Sequence, residues 1–325
     1  TNLMFGWFVR WSMDLATNNY MISDMHAKDM LYSIPVIKLD YNRYMNGNKK
    51  RFREWSRQRL GPDNLTIMVS GNINIEHTKK LLDHIYGSID RSDYSPADLP
   101  IYTPSDVKRL RVIKHERFLT DRGENKIFLS FSATSPAYGT DDYYPYILCY
   151  KYMFDSNANL LSKYINEGDE MIFDNHWYDS SSRSPYFHIG LYADSTAADS
   201  LFLDITNTLT SLIEKGFVSD DLQDAKDIMV REAYDSYNSP LDFSVEFLSK
   251  FGNCNDPVLV QNEIDLLQSV SLDDLNRVFR DYFNPNNFSV SVMGNPNNQF
   301  DFYNNFDIIE YTDRYGVELN GKNEK

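Results

Sequence analysis

A thirteen-residue unit occurs twice in this chain, and its spacing limits what the chain can fold into more than any other feature. The first copy runs from Leu60 to Asn72 (LGPDNLTIMVSGN) and the second from Phe283 to Asn295 (FNPNNFSVSVMGN). Pro62 and Pro285, Asn64 and Asn287, and Gly71 and Gly294 all stand 223 positions apart, and Arg57 with Arg280 keeps the same offset. A repeat at so long a spacing means two copies of a whole domain, not a solenoid of short units.

Each copy has the same physical grammar. A helical segment rich in arginine and aromatics, Lys49 to Leu60 or Ser271 to Phe283, is stopped by a proline that cannot continue it. An alternating strand follows, with Leu65, Ile67 and Val69 on one face in the first copy and Phe288, Val290 and Val292 in the second. The strand closes at a Gly-Asn turn. Carried further, the offset aligns Thr1 with Asp224, inside an expected helix of the second domain. Residues 1–90 therefore read as the rear part of a first domain incomplete at its N-terminus, 91–105 as a linker, 106–296 as a complete second domain and 297–325 as a tail.

The element pattern of the second domain is strands first, then helices, then a closing strand. Strands are expected over Val107–Leu119, Lys126–Thr134 and Tyr186–Ala193, and helices over Asp141–Phe154, Leu160–Asn166, Thr196–Lys215, Ser219–Tyr237, Pro240–Phe251 and Pro257–Ser269. That order specifies an α+β sandwich, with helices over one face of a mixed, mainly antiparallel sheet. Ile75–Tyr86 reads as one more helix, and an aromatic, Met-rich stretch near the start (Phe5, Trp7, Phe8, Trp11, Met13) as a buried one. The stretch from Asn297, rich in Asn and Asp, reads as loosely ordered.

Charge excludes one class of partner. Lys and Arg total 32 against 47 Asp and Glu, a net charge of −15, which removes the electrostatic footprint of a nucleic-acid binder. The same excess suits a soluble acidic surface or a chamber for basic peptides. No apolar run is long enough to span a bilayer. Cys149 and Cys254 form no pattern and read as buried free thiols.

The repeated Pro-x-Asn, alternating strand, Gly units, together with Phe128-Leu129-Ser130-Phe131, Leu212 to Ser219, Ala225-Lys226 and Asp273-Asp274-Leu275, resemble the pitrilysin or insulinase type of zinc metallopeptidase family, which includes the mitochondrial processing peptidase. The resemblance covers nearly all of Leu31 to Asn295. It implies two homologous α/β sandwich domains of metallopeptidase (pitrilysin/LuxS-like) type around a chamber for an extended peptide. It also implies an H-x-x-E-H zinc motif on a helix of the first domain, with a glutamate to activate the bound water.

This chain lacks that motif. Its six histidines, His26, His77, His84, His115, His176 and His188, include no H-x-x-E-H and no pair four residues apart, and no glutamate precedes Glu54. His77 and His84 read as solvated. The resemblance further implies an arginine and a tyrosine, seven residues apart, reaching substrate from the second domain. The matching positions hold Asn166 and Phe173, which are the substrate-binding candidates, though an asparagine lacks the guanidinium fork and phenylalanine has no hydroxyl. No cysteine-histidine pair, G-x-S-x-G or phosphate loop offers other chemistry, and Asp141-Asp142, Asp220-Asp221 and Asp273-Asp274 sit at helix starts, where the helix dipole accounts for them.

No residue is therefore assigned to catalysis or to a metal, and no cofactor is expected in this chain; zinc is left to a parent protein or partner. The leading expectation is a non-catalytic protein that binds peptide or supports a homologous, active peptidase subunit. Two alternatives stand beside it: the C-terminal portion of an active zinc endopeptidase whose motif lies on an upstream segment, and a structural assembly subunit.

Overall fold

The computed structural model describes residues 65–89, 108–114, 119, 123, 125–154, 172–179, 185–254, 256–313 and 319. They fall into two units, one drawing on Pro100–Val230 and Ile264–Lys325, the other on Lys38–Leu99 and Arg231–Glu263. The expected N-terminal helices, the 91–105 linker and the Leu160–Asn166 helix lie outside the described residues.

The larger unit is built on a six-stranded sheet. Its strands are β1 (Arg109–Lys114), β2 (Lys126–Thr134), β3 (Ile172–Asp179), β4 (Tyr186–Asp194), β5 (Ser289–Met293) and β6 (Ile308–Asp313), in the spatial order β3-β4-β2-β5-β1-β6. The ladders β3/β4, β4/β2 and β2/β5 are antiparallel, while β5/β1 and β1/β6 are parallel. The sheet is therefore mixed with antiparallel pairs in the majority, and the α+β class holds. Two strands depart from expectation. β3 was not foreseen, and β6 emerges from the stretch read as loosely ordered, because Ile308–Asp313 finds a parallel partner in β1 about 200 positions earlier.

Helices cover one face of the sheet. Residues of α2 (Tyr143–Phe154) are buried all round except Lys151, as befits a helix that is apolar on every side. α8 (Leu272–Tyr282) needs its capping box to start: the Ser271 hydroxyl accepts from the Asp274 amide at 3.1 Å while Asp274 accepts from the Ser271 amide. Tyr146 of α2 stacks on Phe283 at 4.8 Å, Phe283 stacks on Phe279 at 5.1 Å, and the edge of Phe187 meets Phe283 at 5.1 Å, so aromatic contacts join both helices to β4. Asp142 at the start of α2 accepts from Arg277 at 2.7 Å and from the Tyr282 hydroxyl at 3.0 Å, tying it to α8.

Between them come α3 (Ala198–Lys215), α4 (Ser219–Tyr237), α5 (Pro240–Cys254), α6 (Pro257–Gln261) and α7 (Glu263–Ser269). α3 ends at Gly216, whose φ of +73° only glycine adopts without strain, and the next amide, of Phe217, donates to the Asn276 carboxamide oxygen at 2.7 Å. Lys226 donates to the Gln268 and Val270 carbonyls at 2.8 and 2.7 Å, placing a cation where the α7 carbonyls end. The expected Pro257–Ser269 helix is divided at Asn262 into α6 and α7.

In the smaller unit, α1 (Ile75–Tyr86) starts at Asn74, whose side chain accepts from the His77 amide at 2.9 Å. The Leu65–Val69 strand expected from the repeat takes no ladder partner among the described residues. Leu65, Ile67 and Val69 are 45, 39 and 42% exposed, whereas their counterparts Phe288, Val290 and Val292 are 6, 3 and 2% exposed. The difference is one of neighbours: β5 lies between β1 and β2, whereas Leu65–Val69 has no flanking strand among the described residues to complete its backbone pairing. The segment is held at its end by Ser70, which donates to the Pro240 carbonyl at 2.7 Å.

Candidate functional site

The two faces of the sheet differ in chemistry along whole register rows. One row across five strands reads Ile189, Phe131, Val290, Leu110 and Ile309, and the next on that face Leu191, Leu129, Val292, Val112 and Tyr311. Between them, on the opposite face, one row crosses five strands as Gly190, Ser130, Ser291, Arg111 and Glu310, with Gly190 in register with Asn175 of β3. Because side chains alternate along a strand, every strand must be in the same phase for such a row to form. No helix of a simple amphipathic sandwich calls for it.

The row is wired. Arg111 donates to Glu310 Oε2 from Nε at 3.0 Å and from Nη2 at 2.7 Å, a charge-assisted pair bridging β1 and β6. One step along the sheet, His188 stands opposite Ser132, and its Nδ1 is within 3.2 Å of the Ser132 hydroxyl and 3.4 Å of that of Ser130. His188 is fully buried, and desolvation lowers its pKa to about 3. A neutral imidazole of such low basicity is a poor general base, and both serines are enclosed, so the cluster is a hydrogen-bonded relay and not a nucleophile with its base.

The same face also holds unspent capacity. The hydroxyls of Ser291 and Thr312 are buried and make no hydrogen bond among the described residues. An orphaned buried hydroxyl costs about 1–3 kcal/mol, and two on one sheet face call for a functional account. At one end of this face Ile113, Phe128 and Met293 form an apolar cluster with Leu119 and Tyr192 against it.

Of the sequence candidates, Asn166 lies outside the described residues. Phe173 is the second residue of β3, paired in register with Leu191 just before the bulge at Asn175. β3 is an outer strand whose far edge takes no ladder partner among the described residues. His77 and His84 are exposed on α1. His188 and the serine row escaped the sequence reading, although the alternation Phe187, Ile189, Leu191 around His188 and Gly190 was visible in it.

The residues do not fit a zinc centre of the peptidase kind. The chain has no H-x-x-E-H, and among the described residues no group of three His, Cys, Asp or Glu side chains is placed to hold a metal ion. Cys149 is a buried free thiol whose pKa burial pushes up.

The family model of the peptidase M16 inactive domain matches residues 48–229. Three solved structures are similar in fold. A protease from Helicobacter pylori matches at 15% identity over 78% of this chain and 60% of its own, with a TM-score of 0.63. The peptidase M16 inactive domain from Pseudomonas fluorescens matches at 13% identity over 88% and 66%, with a TM-score of 0.67. A chain of Complex III2 from Candida albicans, with Inz-5 bound, matches at 13% identity over 88% and 68%, with a TM-score of 0.66. At these identities the likeness is one of fold, and this chain spans about three fifths of the length of the Helicobacter protease. No curated protein matches the sequence. With more than half of its residues matched by that model and the zinc motif missing, the chain belongs to the peptidase M16 family, of pitrilysin type, through its inactive domain.

Proposed function

We propose that this chain works without catalysis, holding an extended peptide on behalf of an active, homologous peptidase subunit. The observation that carries the reading is the outer strand β3, whose far edge takes no ladder partner among the described residues, on a fold whose family acts on peptides. An extended peptide adds to such a sheet edge by main-chain hydrogen bonds, and Phe173 belongs to that strand.

The domain organisation follows the repeat in this reading. Residues 106–296 form one peptidase-like domain, and the copy at Leu60–Asn72 is the closing strand of a homologous first domain, completed by strands that flank Leu65–Val69 as β1 and β2 flank β5. The exposed Leu65, Ile67 and Val69 favour a second reading as well, in which those strands and a zinc motif belong to an upstream segment of one active peptidase. Sequencing the transcript upstream of Thr1 separates the two, since only the second requires an H-x-x-E-H there.

Amide hydrogen exchange of the full chain, with and without an extended peptide, tests the site. Exchange of the Ile172–Asp179 amides is expected to slow at least about tenfold on binding, or ~1.4 kcal/mol. Unchanged exchange in β3 would remove that edge from the site.

A further inference from the structure

The smaller unit contains a cavity that neither the family nor the polar row accounts for. Phe243, Glu246, Phe247 and Lys250 recur on α5 at the i, i+3, i+4, i+7 spacing that places four side chains on one helix face. Val260 and Gln261 of α6 and Glu263 at the start of α7 complete the lining of a space of about 300 Å³. The Phe243 and Phe247 rings are 5.8 Å apart and inclined at 45°.

Its charge is unbalanced. Lys250 Nζ donates to Glu246 Oε1 at 2.6 Å and to Glu263 Oε1 at 2.6 Å, so two carboxylates share one ammonium. Burial disfavours that ammonium, but Glu263 and Glu246 more than offset it, and the Lys250 pKa lies above the ordinary lysine value. Burial in turn pushes the Glu263 carboxyl up, and with both carboxylates ionised one negative charge remains among the described residues of a largely apolar wall. Glu263 is buried, while 38% of the Glu246 side chain is exposed and able to turn toward a newcomer.

We infer that this cavity receives a single cationic side chain, arginine or lysine, of a peptide held by the chain. The aliphatic stem packs on Phe243, Phe247 and Val260, and the head group meets the Glu246 carboxylate and the phenyl faces. A space at the low end of ligand-pocket volumes suits one side chain better than a whole small molecule. A neutral side chain leaves the surplus charge uncompensated, and an acidic one adds to it. The net charge of −15 draws basic peptides in the same direction. The inference rests on the peptide-binding reading, but it names a separate position and a preference that reading does not contain.

The test titrates acetylated peptides, identical except for one central arginine, lysine, norleucine or glutamate, into the full chain. Arginine and lysine peptides are expected to bind at least about tenfold more tightly than norleucine, a difference of ~1.4 kcal/mol. Glu246→Gln, at a partly exposed site, should abolish that preference without shifting the melting temperature, and Val260→Trp should do so by filling the space. Equal binding of all four peptides overturns the cavity inference and leaves peptide binding intact. Should no peptide bind, the peptide reading fails, and N-acetyl-arginine methylamide, followed by NMR of fluorinated phenylalanines, tests the cavity alone. Perturbation of Phe243 and Phe247 that Glu246→Gln removes supports the inference. No perturbation overturns it and assigns the cavity to another occupant, such as this chain itself or a second copy.

Discussion

His188 Nδ1 lies 3.2 Å from the Ser132 hydroxyl, and the antiparallel register of β4 and β2 sets these two buried residues directly opposite each other. Their enclosure fixes the sign of a pH effect. The folded chain holds the imidazole neutral down to about pH 3, whereas the unfolded chain protonates it near 6.5. Between those values the unfolded state binds the extra proton, so acid favours unfolding. Stability contributed by this group is complete above about pH 6.5 and falls with pH by at most ~1.4 kcal/mol per unit. Urea midpoints measured from pH 7 down to pH 5 should fall more steeply for the natural chain than for His188→Gln. Parallel curves would show that the ring is not enclosed.

The orphaned hydroxyls predict an unusual direction. Ser291→Ala and Thr312→Val each remove a buried group without a hydrogen bond among the described residues. Each should leave stability unchanged or raise it by about 1 kcal/mol, where most buried substitutions lower it. Chemical denaturation measures this. A loss above ~1 kcal/mol would mean that the hydroxyl is partnered.

Phe283 offers the opposite case. It is fully buried, stacked on Tyr146 and Phe279 and met edge-on by Phe187. Phe283→Ala should cost about 3–5 kcal/mol, because the rings around it cannot close the space. Phe283→Leu should cost less than half of that.

Arg111 and Glu310 make a largely buried pair between β1 and the outermost strand β6. Arg111→Met strands the Glu310 carboxylate and should cost about 2–4 kcal/mol, whereas Arg111→Met with Glu310→Leu together should recover most of it. Failure of the second change to recover stability would place the pair's importance outside its charge.

Much of this fold was legible in the sequence because it is written locally. The alternation of Ile127, Leu129 and Phe131, the Ser271 cap and the Gly216 stop each act within a few residues, and the strand and helices they announce are present. β3 and β6 were not legible. Ile172–Asp179 is polar and bulged, and Ile308–Asp313 is short and set in an Asn-rich context. Both become strands through partners supplied by distant segments. The Leu65–Val69 segment shows the converse, a strand pattern whose described surroundings provide no partner. The candidate site was less legible still: Ser130, Ser291 and Arg111 look unremarkable one at a time, and only the register of three ladders sets them in one row.

The central claim is peptide binding without cleavage, and it is tested most directly by titrating the full chain with extended basic peptides and analysing the recovered peptide by mass spectrometry. The account predicts saturable, reversible binding, intact peptide after prolonged incubation, and the same affinity with and without a chelator. Cleavage that a chelator abolishes would contradict it, and so would the absence of any binding.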